Sequence, residues 1–346
     1  MLSKIRIHQF RCFQDLNYNP IPGLNFITGK NAQGKTSILE AACMLLRLKS
    51  PRTSNPEELI RFGGSSYALE GMVGETRLFQ TCTPPARVLK LDSVAQSSST
   101  EYLSKGRIVW FGNEDLGLVN GSAERRRKLL DSAGLQLPGS YGKNLKAYDR
   151  ALRSRNLLLR EGRPRQEIEA YNIPLAAAGD SIISARAALV ESLSPLAAAA
   201  CRAISGEDLQ LFYAPGAEGP LLEALASSRE EESRVRMTRV GPQRDEVELA
   251  LNGIPAGAFA SEGQRRTVAV ALKLAVAALL EMETGAPPLL LLDDIFGELD
   301  PSRRDALLLG IPSGSQAFIT TADLTGITLP ENSRVDRLCG GILSTA

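Results

Sequence analysis

The amino-acid sequence predicts an α/β fold, a buried and largely parallel sheet flanked by helices and interrupted by a helical insertion. Three observations predict it. A short apolar strand at residues 24–28 (LNFIT) runs into the glycine-bearing loop GKNAQGKT and then into a strong helix pattern at 37–48. Far downstream, residues 289–292 are four consecutive leucines followed by two aspartates, which suits a parallel strand covered on both faces. Between these, residues 123–205 carry charged and apolar positions at helical spacing.

The elements follow in order. Ile5, Ile7 and Phe10 alternate with polar residues as a strand with one buried face. Residues 50–110 read as β-rich, with many Gly, Ser, Thr and Pro breaks, and 96–100 (QSSST) as an exposed hairpin tip. The helical stretch is expected to break near Pro138 and Gly139, at 162–164 and at Pro174. From about 239 the α/β pattern returns, with Val247, Leu249 and Leu251 as a strand, a helix at 268–282 and a final strand at 316–321. The expected divisions are 1–118 for the N-terminal part of the α/β body, 119–235 for the helical lobe, and 236–346 for the C-terminal part. There is no internal repeat, and the insertion lacks sustained heptads and is too short for a long coiled coil.

Composition narrows the classes. A chain of 346 residues, 43% hydrophobic and 23% charged, buries a core without disulfides or metals. Its net charge of +1 makes any nucleic-acid site a local patch rather than a global field. Cys12, Cys43, Cys82, Cys201 and Cys339 form no C-x-x-C pair, and His8 is the only histidine. That speaks against a zinc site or disulfide framework and for reduced thiols in the cytoplasm. The N-terminus does not read as a signal peptide, and no membrane span is expected, the alanine-rich runs being helix.

The strongest motif is G-x-x-x-x-G-K-[ST], matched by Gly29, Lys30, Asn31, Ala32, Gln33, Gly34, Lys35 and Thr36, with Ser37 opening the helix. Glycines let the loop wrap phosphate, while backbone N–H groups and the helix N-terminus supply positive potential. Lys35 is expected to reach the β- and γ-phosphates of ATP, and the Thr36 hydroxyl to hold Mg²⁺. By average residue usage this pattern arises by chance in roughly one chain of this length in a hundred. An ordinary glycine-rich turn is therefore the weaker explanation. The second motif is LLLLDDIFGELD at 289–300. Asp293 at the strand end is expected to hold Mg²⁺ directly or through water, and Asp294 to orient the attacking water. By itself this would be a strand running into an acidic helix cap; downstream of a phosphate loop it is a nucleotide-hydrolysis motif.

The third motif, Ser261-Glu262-Gly263-Gln264, lies 32 residues before Asp293. Alone it would be a capping box, Ser followed three residues later by Gln. In this order it resembles the signature of ABC-type ATPases, in which Ser261, Gly263 and Gln264 would meet ATP bound to the opposite subunit. The fold class is then an ABC-type P-loop ATPase head with a helical insertion lobe. Gly297, Glu298, Leu299 and Asp300 resemble the loop that crosses such a dimer. Thr320 or Thr321 stands where this class often has a γ-phosphate-sensing histidine.

With these residues laid out, the chain resembles the RecF family over essentially its full length. The resemblance rests on IHQFRCF at 7–13, FGNEDLGLVNGSAERRRKLLD at 111–131, YDRALRSRNL at 148–157, GPQRD at 241–245, SEGQRRTVAVALKLA at 261–275 and the pair Asp293-Asp294. Two positions depart from it: Gln243 replaces the usual histidine, and Asn113 the usual proline before Glu114. The resemblance implies an SMC-like head whose ATP-dependent homodimer binds DNA, single- or double-stranded, gapped or at a junction. It implies slow, DNA-stimulated ATP hydrolysis used as a switch, and action with RecR and RecO-like proteins in recombination, repair, fork maintenance and the SOS response. Arg11 becomes a candidate phosphate contact, an exposed strand-end arginine being the other reading.

Arg125, Arg126, Arg127 and Lys128 on one helix and Arg150, Arg153 and Arg155 on the next offer a basic face for phosphates, or a merely solvated surface. Arg265 and Arg266 fit pairing across the dimer. The alternatives are another SMC-like or P-loop NTPase not acting on DNA, such as a metabolite kinase. A transporter motor normally has a shorter interval than the 226 residues from Lys35 to Ser261, and double-strand-break ATPases need hundreds of coiled-coil residues.

Overall fold

A computed structural model describes residues 1–345, the side chain of Glu298 excepted. The chain falls into two compact units. One comprises Met1–Asp115, Ala203–Ser205 and the residues from Val270 onward; the other Leu116–Arg202 and Gly206–Ala269. Residues 236–269, read from sequence as part of the α/β body, group with the second unit.

The strands in chain order are β1 (Leu2–Phe10), β2 (Phe13–Tyr18), β3 (Leu24–Thr28), β4 (Tyr67–Val73), β5 (Thr76–Thr83), β6 (Ala86–Leu91), β7 (Val94–Ala95), β8 (Ile108–Phe111), β9 (Leu209–Ala214), β10 (Glu246–Leu251), β11 (Ile254–Pro255), β12 (Leu289–Asp293), β13 (Ala317–Thr321), β14 (Ser333–Cys339) and β15 (Ile342–Thr345). The first unit holds two sheets, an antiparallel one ordered β2-β1-β4-β5-β6-β7 and a second ordered β15-β14-β3-β13-β12-β8. In the second sheet β14, β3, β13, β12 and β8 run parallel, and β15 closes one edge antiparallel.

The helix Lys35–Arg47 explains how the sheets share a core. Its Ile38, Leu39, Ala41, Ala42 and Leu45 join a buried cluster with Ile5 and Ile7 of β1, Ile27 of β3, Leu291 of β12 and Phe318 of β13. A helix apolar on every side is stable only when covered on every side. Two local expectations fail in this unit. The hairpin tip is not at 96–100 but at Asp92 and Ser93, both left-handed, between β6 and β7. That is the backbone a two-residue hairpin loop requires. Residues Ser99–Ser104 form a helix instead, with the Ser98 hydroxyl accepting from Thr100 N–H at 3.2 Å. The serine run caps a helix where the composition suggested a turn.

The second unit packs the helices Ala123–Gly134, Tyr141–Glu161 and Asn172–Ser205 with the antiparallel sheet β11-β10-β9. Pro174 marks the expected break in the helical run, which falls at residues 170–171 between the helices Arg165–Glu169 and Asn172–Ser205. It sits in the first turn of Asn172–Ser205, where a missing N–H costs nothing. The stretch Arg165–Ser205 is long and apolar enough to cross a membrane by length and composition. Its Leu175, Ile182, Leu189 and Leu193 are buried, and it carries the buried Arg186, so within this fold it is a core helix.

Arg186 explains the GPQRD stretch. Its guanidinium donates to Asp131 at 2.8 Å, to Asp245 at 2.8 Å and to the Pro242 carbonyl at 2.7 Å. Asp245 also accepts from the Tyr213 hydroxyl at 2.6 Å and from Gly216 N–H at 2.8 Å. Burial pulls the Arg186 pKa down, but Asp131, Tyr141 and Asp245 outweigh it and raise it. Gln243 accepts from the Tyr148 hydroxyl and donates to Val240 O at 2.9 Å, a structural use for the residue that departs from the family pattern.

Candidate functional site

The parallel sheet assembles the site by register. Thr28 of β3 faces Thr321 of β13, and Thr320 faces Asp293 of β12, so the carboxyl ends of three neighbouring strands finish in one row. In open α/β sheets the crevice beyond those ends is where ligands bind.

Residues 29–34 turn from β3 into the helix Lys35–Arg47. Gly34 sits at φ +99°, and a Cβ there would lie 2.5 Å from Cys12 Sγ and 2.9 Å from Phe13 Cζ. Gly29 sits at φ +151°, with the Leu338 carbonyl 2.5 Å from where its Cβ would be. Only glycine meets both the backbone angle and the space at these two turns. Gln33 is pinned by its side-chain oxygen, which accepts from Gly340 N–H at 2.8 Å. Lys30, Asn31 and Ala32 are exposed at the loop tip, whereas Lys35 and Ser37 are buried. The Lys35 ammonium folds back onto the carbonyls of Gly29 at 2.5 Å and Lys30 at 3.1 Å. It is thus held at the loop it is expected to serve.

The Thr36 hydroxyl donates to Asp293 at 2.8 Å, across 257 residues of sequence. Thr320 donates to the same carboxylate oxygen at 2.8 Å and accepts from Asp294 N–H at 3.0 Å. Burial pushes the Asp293 carboxyl above its ordinary pKa, the two threonine hydroxyls pull it back, and the charges of Asp294 and Glu114 push it up again. The donors here, one carboxylate and a hydroxyl, are hard oxygens of the kind Mg²⁺ takes when phosphate and water complete its shell; among the described residues no group of three His, Cys, Asp or Glu forms a cage of protein ligands. Thr321 instead donates to Asp323 O at 2.8 Å. Of the two threonines left open by sequence, Thr320 is therefore the one on the aspartate. Asp294 adopts the left-handed conformation at φ +53°, uncommon for a non-glycine residue. Glu114 accepts from Trp110 Nε1 at 2.9 Å, and Lys273 secures the same segment through Trp110 O at 2.7 Å and Asp115 at 2.8 Å. The segment holds although Asn113 lacks the family's proline.

Arg11 is not the exposed strand-end arginine of one sequence reading. Its guanidinium forks onto Glu40 at 2.6 and 2.8 Å and onto Glu58 O at 2.6 Å. Glu40, fully buried on the phosphate-loop helix, also accepts from Ser50 at 2.6 Å. In this arrangement Arg11 ties the end of β1 to that helix.

The signature residues lie in the second unit, at the start of the helix Glu262–Thr284. Ser261 Oγ accepts from Gln264 N–H at 3.3 Å while Gln264 Oε1 accepts from Ser261 N–H at 2.8 Å. The capping box exists as such, and it leaves the Ser261 O–H free to donate elsewhere. Arg266 pairs with Glu262 at 2.6 Å and Arg265 donates to Gly257 O at 3.3 Å, so both serve their own chain here.

The basic residues separate into two groups. Arg126 forks onto Glu246 at 2.7 and 2.8 Å and caps the carbonyls of Leu118 and Gly121, while Arg127 donates to Asp245 O at 2.6 Å. Arg155, read from sequence as part of the basic face, is buried on Glu232 at 2.7 Å and Asn172 at 2.9 Å. These three hold the unit together. Arg125, Lys128, Arg150 and Arg153 are exposed, Lys128 pairing with Glu124 at 2.6 Å. Sequence reading missed Glu40, Arg186 and Asp245, whose partners are far away in the chain.

Comparison with known proteins follows the same lines. Residues 4–80 match the family model described as an AAA domain. The chain is 35% identical to the DNA replication and repair protein RecF of Symbiobacterium thermophilum, over 98% of this chain and 97% of that protein. It is 31% identical to RecF of Staphylococcus aureus, over 98% of each. Among solved structures, the recombination mediator protein RecF with ATP, of the RecFOR pathway, superposes with a TM-score of 0.91 at 29% identity, covering 100% of this chain and 97% of that one. An Smc head bound to the C-winged helix domain of ScpA superposes with a TM-score of 0.59 at 15% identity, which speaks for the shared fold alone.

Proposed function

Because the chain belongs to the RecF family of DNA replication and repair proteins, we propose that it is an ATP-controlled DNA clamp. Two copies would close on ATP, each supplying the signature to its partner's nucleotide. Residues 29–37 cradle the phosphates, and Lys35 leaves the Gly29 and Lys30 carbonyls to take the β- and γ-phosphates. Thr36 and Asp293 would hold Mg²⁺, which would supply charge neutralisation to the phosphates. Asp294 orients the attacking water, and Thr320, hydrogen-bonded to both aspartates, is placed to register the γ-phosphate. Ser261 and Gly263 of the partner complete the site. Hydrolysis is slow and serves release from DNA rather than metabolism. RecR and RecO-like proteins are the expected partners, in the cytoplasm. The observation that carries the nucleotide site is the Thr36–Asp293 hydrogen bond, which joins the phosphate loop to the acidic strand end.

The test is sedimentation velocity with and without Mg-ATP and a gapped duplex. Ser261→Asp separates the signature from the cap. Aspartate caps a helix as well as serine does, but it cannot donate when ionised and sets a negative charge against the phosphate. Like charges across an interface cost several kcal/mol, so dimerisation is expected to weaken about a hundredfold or more, with monomer ATP binding kept. A parent that stays monomeric at saturating ATP and DNA returns the chain to a self-contained P-loop enzyme.

For DNA, the exposed set Arg125, Lys128, Arg150 and Arg153 replaces the longer list read from sequence. Reversing Arg150 and Arg153 to glutamate is expected to weaken binding equally across sequences. It should also cut the slope of log affinity against log salt by about one per lost phosphate contact. An unchanged slope moves the DNA face elsewhere.

A further inference from the structure

Two residues before the signature serine, Phe259 stands 73% exposed. Single exposed aromatics are common, so exposure alone assigns nothing. Its mounting adds to the case. Phe259 ends the short helix Ala256–Phe259, whose first residue Ala256 and capping residue Ala260 are both buried. Ala260 N–H donates to Ala256 O at 3.1 Å, and Arg265 of the signature helix holds the Gly257 carbonyl. Ile254, 52% exposed, is the next large apolar side chain upstream. The turn is therefore pinned at both ends while the ring it carries stays in water.

Chain reach then decides what covers it. Two residues span at most about 7 Å. A stable subunit interface buries about 800 Å² on each partner, a disc of roughly 16 Å radius. A pairing that brings Ser261 to the partner's nucleotide therefore holds Phe259 within about 7 Å of a point of contact, less than half the radius of such a patch. We infer that Phe259 is an apolar anchor of the ATP-dependent dimer, seated against a second copy of this chain. Aromatic side chains near the centre of an interface are the usual carriers of its affinity. This inference rests on the composite-site reading above, and it adds the residue that supplies binding where Ser261 supplies nucleotide sensing.

The experiment uses the full chain in an Asp294→Asn background, which slows hydrolysis. Phe259→Ala is expected to raise the Mg-ATP dimer dissociation constant about thirtyfold or more. Melting temperature and monomer ATP binding should stay unchanged. Phe259→Leu should restore most of the loss. A second arm uses Phe259→Trp, read against the chain's single Trp110. Its added emission is expected to shift to the blue on Mg-ATP addition and to lose access to a soluble quencher. If the background protein dimerises and Ser261→Asp prevents it, yet Phe259→Ala changes the constant less than threefold and the new tryptophan stays in water, the inference is overturned while the composite site stands. If the background protein never dimerises, the composite site itself fails.

Discussion

Asp294→Asn is expected to keep ATP, accumulate as a dimer and bind gapped DNA more tightly than the unmutated chain, while hydrolysis falls about 10²–10⁴-fold, the usual worth of a positioned general base. The fold should accept the change. Asp294 sits at φ +53°, and its N–H donates to Thr320. Asparagine tolerates the left-handed region as aspartate does, and the backbone bond is independent of the side chain. What is lost is the carboxylate beside the strand end. Single-turnover hydrolysis with labelled ATP gives the rate, and sedimentation gives the dimer. A variant that hydrolyses within threefold of the parent would remove Asp294 from the water-orienting role and leave Asp293 or Glu114 to be tried.

The largest expected effect on stability lies in the second unit. Arg186→Leu keeps the bulk of the side chain and deletes its charge, leaving Asp131 and the fully buried Asp245 without their shared partner. Removing one member of a buried ion pair costs about 3–5 kcal/mol, because the remaining charge stays buried without compensation. Urea unfolding followed through the helical signal should show the loss as an earlier transition. Since the two units need not unfold together, mant-ATP binding followed through the same titration shows whether the phosphate-loop unit survives it. A midpoint change equivalent to less than about 1 kcal/mol would mean that the site relaxes or that water replaces the guanidinium.

The nucleotide residues were legible in the sequence for a physical reason. A phosphate loop needs glycine where the backbone turns left-handed and a lysine and hydroxyl at fixed offsets, so Gly29, Gly34, Lys35 and Thr36 announce themselves within eight residues. The strand 289–292 is equally local. The serine run at 96–100 misleads because Ser serves caps and turns alike, and the Asp92-Ser93 backbone decides where the hairpin turns. Pro174 does mark a break, because proline interrupts a continuing helix yet fits the first turn of the next one, here Asn172–Ser205. Arg155 and Arg186 could not be assigned from pattern. Arg155 finds Glu232 across 77 residues and Arg186 finds Asp245 across 59, and helical spacing is silent about contacts of that range. The same blindness covers GPQRD, whose meaning lies in Arg186, Tyr213 and Gly216 rather than in its own five residues.

The order of the parallel sheet has a consequence for how the molecule comes into being. β3, which leads into the phosphate loop, has β13 and β14 as its two neighbours, strands that begin about three hundred residues later. During synthesis, at about 5–20 residues per second, the strand LNFIT waits tens of seconds for both hydrogen-bonding edges. Closing such distant pairings is slow, and an unpaired apolar strand is an invitation to aggregate. The antiparallel sheet β2-β1-β4-β5-β6-β7 is complete far earlier, from hairpins and the β1–β4 pairing across about sixty residues, and with the helix Lys35–Arg47 it can shelter one side of β3 in the interval. The nascent chain thus carries its nucleotide loop as a promise kept only when residues 317–339 arrive, and its dependence on chaperones should be greatest in that window.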